Sequence, residues 1–252
     1  MEAMPAIGSV RLGSVPRVIL AVGSCGPELK NAYPAGVSVL EARIDLFART
    51  DASFVRNEMD QLRRIGLPLL ATFRPKSEGG AWTGTEEERK QRLLECVEIV
   101  DAVDIELLST EINIEVSKAC KKAGKTLVVS NHCLEGTPEN SVLQGRIDAA
   151  KNLGADVVKL ACLAEAEADV ARLLLLLAAN RDKGMIGISM GPKGAISRVA
   201  APLFGSLLTY TSLDLNYGQL PLEELVQFLK AFYPAFGEEL IKRRHPPITR
   251  VP

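Results

Sequence analysis

The sequence lacks the patterns that disulfide, metal and nucleotide sites require. Its five cysteines lie at positions 25, 96, 120, 133 and 162, and no two of them form a CxxC pair. An odd number of scattered cysteines argues against a disulfide framework and favours reduced thiols, which predicts a cytoplasmic protein. The chain has two histidines and no glycine-rich nucleotide-binding motif. We therefore expect no metal and no cofactor.

Charge and hydropathy exclude further classes of protein. The chain carries 30 lysines and arginines against 31 aspartates and glutamates, so we expect neither nucleic acid nor an anionic membrane as a partner. The N-terminal segment has no basic region followed by a long apolar run, and is not expected to be a signal peptide. The run LLLLLAA at 173–179 is too short to cross a bilayer and predicts a buried helix face.

Short apolar runs alternate with longer segments of helical periodicity. Four of the longer segments, 52–66, 86–100, 110–124 and 163–184, place apolar residues at helical spacing. The apolar runs predict eight strands, at 17–24, 37–47, 67–75, 102–109, 125–132, 155–161, 184–191 and 207–213.

This alternation predicts one domain over residues 1–252, a (β/α)8 TIM barrel with its core at about 17–232 and a C-terminal tail at 233–252. An open doubly wound sheet is the alternative architecture. The first residues are expected to form a short hairpin that closes the barrel floor.

One lysine interrupts a run that otherwise predicts a buried strand. Lys159 lies in ADVVKLA at 155–161, although an ammonium group is costly to remove from water. A lone lysine at a strand end commonly extends its amine to solvent. The alternative is an amine of lowered pKa, among apolar groups and other cations, that attacks a ketone and forms a Schiff base.

Polar residues follow several of the predicted strands. Catalytic residues of such barrels lie at the carboxyl ends of strands and in the loops that follow. Each polar residue has a structural alternative, such as an ion pair between Glu41 and Arg43 or a structural role for His132, but their convergence predicts a site. Together they are Glu41, Arg43, Asp45, Arg74, Glu78, Asp104, Glu106, Asn131, His132, Lys159 and Arg198.

Two nearby features favour structural roles. Asp104 and Glu106 are expected to be a structural pair inside the barrel. Cys133 follows His132 directly, so its side chain is expected to face away from the histidine. We interpret Cys133 as a small buried apolar residue and not as a nucleophile.

Eight segments of the chain, taken in order, resemble the type I 3-dehydroquinate dehydratases. The resemblance covers about residues 17–232 and implies a (β/α)8 barrel, often dimeric. It implies the conversion of 3-dehydroquinate to 3-dehydroshikimate in the shikimate pathway, by syn elimination of water through a lysine imine. The matching segments are EARID (41–45), TFRPKSEGG (72–80), DIELLS (104–109), SNH (130–132), ADVVKLA (155–161), SMGPKGAISR (189–198), FGS (204–206) and GQ (218–219).

The resemblance also implies a role for each matching residue. Lys159 would form the imine, and His132 would be the general acid and base. Glu78 would orient the histidine, the usual task of a third group. Arg198 would bind the substrate carboxylate, a task suited to a guanidinium group. The remaining substrate contacts would come from Gln219, Glu41, Arg43 and Arg74.

The lid segment departs from the family pattern. The family usually reads Ser-Ala-Pro before GQ, whereas this chain reads LDLNYGQ at 213–219, with Leu215, Asn216 and Tyr217 in those places. The segment between Arg198 and the lid is also shorter. Candidates for the missing hydrogen bond are Asn216, Tyr217, Thr211 and Ser212.

Two other functions stay open from the sequence. Another Schiff-base barrel, of the aldolase or transaldolase kind, would bind phosphate at SMGPKGAISR, since barrels often bind phosphate after their last two strands. A pseudoenzyme that binds the metabolite and regulates another protein would account for the altered lid. The presence of Lys159, His132 and Glu78 together argues against the pseudoenzyme.

Overall fold

The computed structural model describes residues 5–215 and 218–244. A short antiparallel hairpin comes first, formed by β1 (Ala6–Ile7) and β2 (Val10–Arg11). Each of the eight strands that follow overlaps one of the eight predicted strands. They are β3 (Arg17–Val22), β4 (Val37–Arg43), β5 (Leu69–Thr72), β6 (Ala102–Glu106), β7 (Thr126–Cys133), β8 (Val157–Leu163), β9 (Met185–Met190) and β10 (Leu208–Ser212).

The eight strands form one parallel sheet that closes almost completely on itself. Their order is β10-β3-β4-β5-β6-β7-β8-β9, and β9 and β10 lie side by side at the remaining seam. The predicted TIM barrel is therefore confirmed, and the open doubly wound sheet is wrong. Because successive side chains of a strand point to opposite faces, alternate residues fill the interior and the others pack against helices.

Helices connect the strands and cover the outside of the barrel. Helices α2, α3, α4 and α6 fall in the four segments that the periodicity predicted. Asp51 caps α2, and Thr85 with Glu88 forms a capping box at the start of α3. The helices are α1 (Ala32–Ala35), α2 (Ala52–Arg63), α3 (Glu86–Val97), α4 (Asn113–Lys122), α5 (Asn140–Asn152), α6 (Glu167–Ala179), α7 (Ser197–Ala200), α8 (Leu222–Phe232) and α9 (Pro234–Arg244).

The leucine run at 173–179 belongs to α6. Leu173, Leu176 and Leu177 are buried against the barrel, whereas Leu175 is exposed. The run is therefore the apolar face of a covering helix, as predicted. Within the described ranges, no helix combines the length and the apolar character that a membrane crossing needs.

The N-terminal hairpin closes the floor of the barrel. Ile7 and Leu12 are buried and join the apolar cluster inside the barrel, which includes Val157 at the start of β8. Thr126 Oγ1, at the start of β7, donates a hydrogen bond of 2.5 Å to the Ala6 carbonyl. These contacts lie at the amino ends of the strands, which leaves the opposite end for the functional residues.

The segment after residue 232 continues as a packed helix. Phe236 of α9 is buried in one cluster with Leu229 of α8, and Glu239 of α9 forms an ion pair with Arg17 of β3. The described part of the expected tail is therefore attached to the barrel. Residues 245–252 lie outside the described ranges.

Candidate active site

A cavity of about 700 Å³ opens at the carboxyl ends of the strands. The strand register explains part of its composition, because Ser130 pairs with Lys159 and His132 pairs with Ala161. Lys159 and His132 therefore project from the same face of neighbouring strands, one pleat apart. The cavity is lined by all eight residues to which the family resemblance gives a role, namely Glu41, Arg43, Arg74, Glu78, His132, Lys159, Arg198 and Gln219.

Two carboxylates hold the amine of Lys159, whose side chain is only 5% exposed. Nζ lies 3.2 Å from Asp104 Oδ2 and 3.5 Å from Glu41 Oε1. It also lies 4.4 Å from the centre of the Tyr210 ring, a cation–π contact. The alternative of an amine that extends to solvent is therefore wrong. The expectation of cations around the amine also needs correction, because its ion-pair partners are carboxylates.

Glu78 holds His132 through both the backbone and the ring. Glu78 Oε2 accepts a hydrogen bond of 2.8 Å from the His132 backbone N–H and lies 2.9 Å from ring Nδ1. Burial, together with Arg74 and Lys159, lowers the pKa of His132 well below its usual value. Burial and the Glu106 carboxylate raise the pKa of Glu78 to about 7. A neutral imidazole beside such a carboxyl group can accept and return a proton through Nε2.

Arg74 joins the two acidic residues of β6 beneath the cavity. Its guanidinium donates to Glu106 Oε1 at 2.5 Å and to Ser130 Oγ at 2.7 Å, and lies 2.9 Å from Asp104 Oδ1. Burial alone would raise the pKa of Asp104, but Arg74 and then Lys159 lower it. The interpretation of the β6 carboxylates as a structural pair is incomplete, because Asp104 contacts the amine of Lys159.

Arg43 pairs with Asp45 and not with Glu41. Its Nε and one terminal nitrogen donate to the two Asp45 oxygens at 3.0 and 2.7 Å. Glu41 instead accepts from Thr72 Oγ1 at 2.8 Å. Asp45 also accepts from the backbone N–H of Arg74 at 3.2 Å, which links the turn after β4 to the loop after β5. The structural alternative of a Glu41–Arg43 ion pair is wrong.

Arg198 is a buried cation on the cavity wall. It lies on α7 and is 6% exposed, and its Nε has no hydrogen-bond partner among the described residues. Burial lowers its pKa to about 10, so the guanidinium is still charged at neutral pH. Because an uncompensated buried charge is costly, this arrangement indicates an anionic ligand. Gln219 lines the same cavity and accepts a hydrogen bond of 2.7 Å from Ser212 Oγ.

The candidates for the lid hydrogen bond differ in their positions. Thr211 Oγ1 is buried and donates to the Leu220 carbonyl, directly after the lid segment, at 2.6 Å. Ser212 lines the cavity. Asn216 and Tyr217 lie outside the described residues. Of these candidates, Ser212 is the one in the described part of the chain that lines the cavity, and its hydroxyl is hydrogen-bonded to Gln219.

Cys133 is not the buried apolar residue that the sequence predicted. It is half-buried, lines a second cavity of about 580 Å³, and its Sγ lies 2.8 Å from a guanidinium nitrogen of Arg146. A hydrogen bond with Cys162, and then the Arg146 guanidinium, lower the pKa of the Cys133 thiol. Its packing against the outer apolar layer agrees with the prediction that it faces away from His132.

Tyr210 is a cavity residue that sequence reasoning missed. It is 5% exposed, and its hydroxyl has no hydrogen-bond partner in the part of the chain that the structure describes. It lies on β10 at even spacing from Leu208 and Ser212. The alternation of that predicted strand was the signal that would have placed it inside the barrel.

The chemistry that the cavity offers is nucleophilic attack by an amine combined with acid–base catalysis. Lys159 supplies the amine, the His132–Glu78 pair supplies proton transfer, and Arg198 supplies a positive charge for an anion. Across residues 5–215 and 218–244, no group of three or more His, Cys, Asp or Glu side chains is placed to hold a metal ion.

Sequence comparison finds one family that spans most of the barrel. A family profile described as type I 3-dehydroquinase matches residues 18–235. The chain is 37% identical over 224 residues to a 3-dehydroquinate dehydratase of Methanococcoides burtonii, which covers 87% of this chain and 95% of that protein. It is 35% identical over 207 residues to a 3-dehydroquinate dehydratase of Aquifex aeolicus, which covers 81% and 92%.

Solved structures agree with the sequence comparison. The crystal structure of the 3-dehydroquinate dehydratase from Aquifex aeolicus superposes with a TM-score of 0.76 at 34% identity and covers 87% of this chain and 99% of that one. A type I 3-dehydroquinate dehydratase from Clostridium difficile superposes with a TM-score of 0.85 at 27% identity and covers 92% and 98%. The chain therefore belongs to the type I 3-dehydroquinase family.

Proposed function

We propose that this protein removes water from 3-dehydroquinate to give 3-dehydroshikimate, a hydro-lyase reaction of the shikimate pathway, through an imine on Lys159. One observation carries this proposal. A buried lysine amine and a histidine, itself held by a carboxyl group, face one cavity, whose lining includes an arginine with a guanidinium nitrogen that has no hydrogen-bond partner among the described residues. This arrangement suits a substrate that has both a ketone and a carboxylate.

The ketone would react with Lys159. Lys159 gives a proton to His132, and the neutral amine attacks the carbonyl carbon. His132 then returns this proton to the hydroxyl group of the adduct, which leaves as water, so that a protonated imine remains. Asp104 and Glu41 lie 3.2 and 3.5 Å from the amine, and their negative charges would balance the positive charge of the iminium. The iminium then withdraws electrons from the neighbouring carbon.

His132 would move the protons of the elimination. Its low pKa keeps the imidazole neutral at physiological pH, so Nε2 can take a proton from the carbon beside the iminium. The electrons of that C–H bond pass into the iminium nitrogen and give an enamine. The enamine then expels the hydroxyl group, which takes the proton from His132 and leaves as water. Hydrolysis of the imine releases the product and restores Lys159.

Glu78 would keep the histidine ring in position through this cycle. With its carboxylate ionised, Nδ1–H of His132 donates to Oε2, and Nε2 keeps its lone pair for the substrate. The same oxygen accepts from the His132 backbone N–H, which limits the movement of both groups. Arg198 and Gln219 would bind the carboxylate, and Arg43 and Arg74 would lie near the ring oxygens.

We also propose a homodimer that works in the cytoplasm. Support for the dimer comes from large apolar side chains exposed on α8 and α9, with Phe228 45%, Phe232 68% and Ile241 60% exposed. Phe228 and Phe232 lie four residues apart on α8 and therefore share one face of that helix, and exposed apolar residues that lie together are typical of association surfaces. Light scattering of the protein and of Phe232→Glu tests this, since the variant should shift toward monomer.

Borohydride trapping tests the proposed reaction. The wild-type protein should turn over 3-dehydroquinate, and borohydride added with this substrate should inactivate it and attach the reduced ligand at Lys159. Lys159→Ala should lose both trapping and turnover, whereas Lys118→Ala, on the exposed face of α4, should keep both. Labelling at another lysine, or turnover by Lys159→Ala, would overturn the assignment.

The same assay separates the alternative functions. Turnover of a phosphorylated sugar and not of 3-dehydroquinate would indicate an aldolase, with Arg198 as the phosphate ligand. Binding of 3-dehydroquinate without trapping or turnover would indicate a regulatory pseudoenzyme.

A further inference from the structure

Two buried polar atoms on the cavity wall have no hydrogen-bond partner within residues 5–215 and 218–244, namely the Tyr210 hydroxyl and Arg198 Nε. Buried polar groups of folded proteins are nearly always paired. Two such donors, whose residues line one cavity, therefore indicate that a ligand binds there. We propose that the Tyr210 hydroxyl is a substrate ligand that donates a hydrogen bond to the carboxylate bound by Arg198. This inference rests on the proposed function and extends it to a further residue.

The position of Tyr210 is set by the barrel and not by the lid. It lies in the middle of β10, where it pairs with Ile19 of β3, and it packs in the interior apolar cluster. Its ring lies 4.4 Å from Lys159 Nζ, so the phenol borders the reacting amine. A hydroxyl on a strand is in place before any loop closes, and it costs little additional ordering when the ligand arrives.

Electrostatics make this hydroxyl a donor. Burial, and then the carboxylates of Glu41 and Asp104, raise the pKa of Tyr210 well above its usual value. The phenol therefore keeps its proton at neutral pH. Arg198 lines the same cavity as Tyr210, and Thr209, the residue before Tyr210 on β10, donates a hydrogen bond of 2.7 Å to the Arg198 carbonyl. A carboxylate has two oxygens, so it can accept from a guanidinium and from a phenol at once.

The contacts of the other hydroxyls on β10 favour Tyr210. Thr209 and Thr211 already donate to backbone carbonyls, and Ser212 is hydrogen-bonded to Gln219. Tyr210 is the β10 hydroxyl that has no such partner among the described residues. A ligand that bonds it would recover the hydrogen bond that folding leaves unmade.

Removal of a single oxygen tests the proposal, with Tyr233 as the matched control. Tyr233 OH donates to the Val199 carbonyl at 2.6 Å and accepts from the Leu203 N–H at 3.1 Å. Tyr233→Phe should therefore lower the melting temperature and leave KM unchanged. Tyr210→Phe should keep or raise the melting temperature, because without substrate the hydroxyl makes no hydrogen bond to the described residues. The same substitution should raise KM about tenfold. Borohydride trapping at Lys159 should persist in Tyr210→Phe at saturating substrate.

A double-mutant cycle with Arg198→Ala assigns the acceptor. If both groups bind the same carboxylate, the KM penalty of Tyr210→Phe should shrink in the Arg198→Ala background. Additive penalties would overturn the assignment to the carboxylate. An unchanged KM in Tyr210→Phe, or loss of trapping at Lys159, would overturn the role of the hydroxyl as a ligand. Absence of turnover in the wild-type protein would instead reject the proposed function, so the two failures are distinguishable.

Discussion

The carboxylate of Asp104 lies between two cations, with Oδ2 3.2 Å from Lys159 Nζ and Oδ1 2.9 Å from the Arg74 guanidinium. All three side chains are buried. Asp104→Asn would leave two buried cations short of a countercharge, so we expect a loss of about 3–5 kcal/mol in the free energy of unfolding. Urea denaturation measures this loss.

Asp148→Asn is the matched control for Asp104→Asn. Asp148 pairs with Lys183 at 2.7 Å, but its side chain is 54% exposed, and exposed ion pairs contribute little to stability. Equal losses in the two variants would show that the buried cations do not depend on Asp104.

His132→Ala should separate proton transfer from imine formation. Without the general acid and base, turnover should fall by about 10²–10⁴-fold or more, whereas Lys159 can still attack the ketone. We expect mass spectrometry of the variant incubated with 3-dehydroquinate to reveal a slowly formed, long-lived adduct at Lys159. Turnover within a few-fold of the wild-type rate would remove His132 from the mechanism.

Glu78→Gln should change how stability depends on pH. The pKa of Glu78 is raised in the folded protein to about 7, from 4.5 for an ordinary glutamate. Between these values the folded state holds a proton that the unfolded state has lost, so this group loses stabilising effect as the pH rises toward 7. Relative to wild type, Glu78→Gln should therefore gain stability from pH 5 to pH 8, by at most about 3 kcal/mol.

Denaturation of both proteins across this pH range measures the difference in unfolding free energy. His132 is present in both proteins, so its contribution to the difference in unfolding free energy cancels to first order. Its lowered pKa destabilises each protein as the pH falls through the pKa that the histidine has in the unfolded chain. A pH-independent difference between wild type and Glu78→Gln would contradict the raised pKa of Glu78.

Gln219→Ala should weaken substrate binding without stopping imine formation. Gln219 lines the cavity and is held by Ser212, so its loss should raise KM and leave trapping at Lys159 intact. Ser212→Ala should raise KM less, and the two changes together should not be additive, since they affect one contact. Equal trapping with unchanged KM would show that this lid does not bind the substrate.

Replacement of Leu215–Tyr217 by Ser-Ala-Pro tests the altered lid directly. A serine contact to a carboxylate contributes about 1.5–3 kcal/mol when nothing replaces it. We expect KM to fall or to stay unchanged in the variant. A large rise in KM would show that this lid is adapted to its own contacts.

Cys133 should be the first cysteine that a thiol reagent alkylates at neutral pH. Cys133 and Cys25 are both half-buried, but Cys162 and Arg146 lower the pKa of Cys133, whereas burial and Glu58 raise that of Cys25. A larger thiolate fraction gives faster alkylation. Peptide mapping after brief iodoacetamide treatment measures the order of labelling. Arg146→Gln should slow the labelling of Cys133, and prior labelling of Cys25 would contradict the electrostatic contrast.

The strands were predictable because buried parallel strands leave near-continuous apolar runs in the sequence. Lys159 and His132 were assigned to one end of the barrel because catalytic residues of such barrels lie at the carboxyl ends of the strands. The partner of Arg43 was not predictable in this way, because β4 ends at Arg43 and the turn that follows brings Asp45 back onto it. Alternation describes a strand and contains no information about the turn after it.

Contacts across the barrel were also beyond sequence reasoning. Asp104 and Lys159 lie on β6 and β8, with β7 between them, and Tyr210 reaches Lys159 from β10. These distances depend on the closure of the whole sheet and on the side-chain rotamers. An unpaired hydroxyl is likewise visible only after every neighbouring donor and acceptor has been placed.

The N-terminal hairpin closes one end of the barrel, so in the described part of the chain the active-site cavity is open at the other end only. Ile7 and Leu12 fill the far end, so substrate and product pass through the mouth that holds Gln219. Under the proposed mechanism, the water expelled from the ring would be released while the organic molecule still occupies the mouth of the cavity. That water would then be available to attack the imine carbon, so that the oxygen lost by one carbon of the substrate would become the carbonyl oxygen of the product.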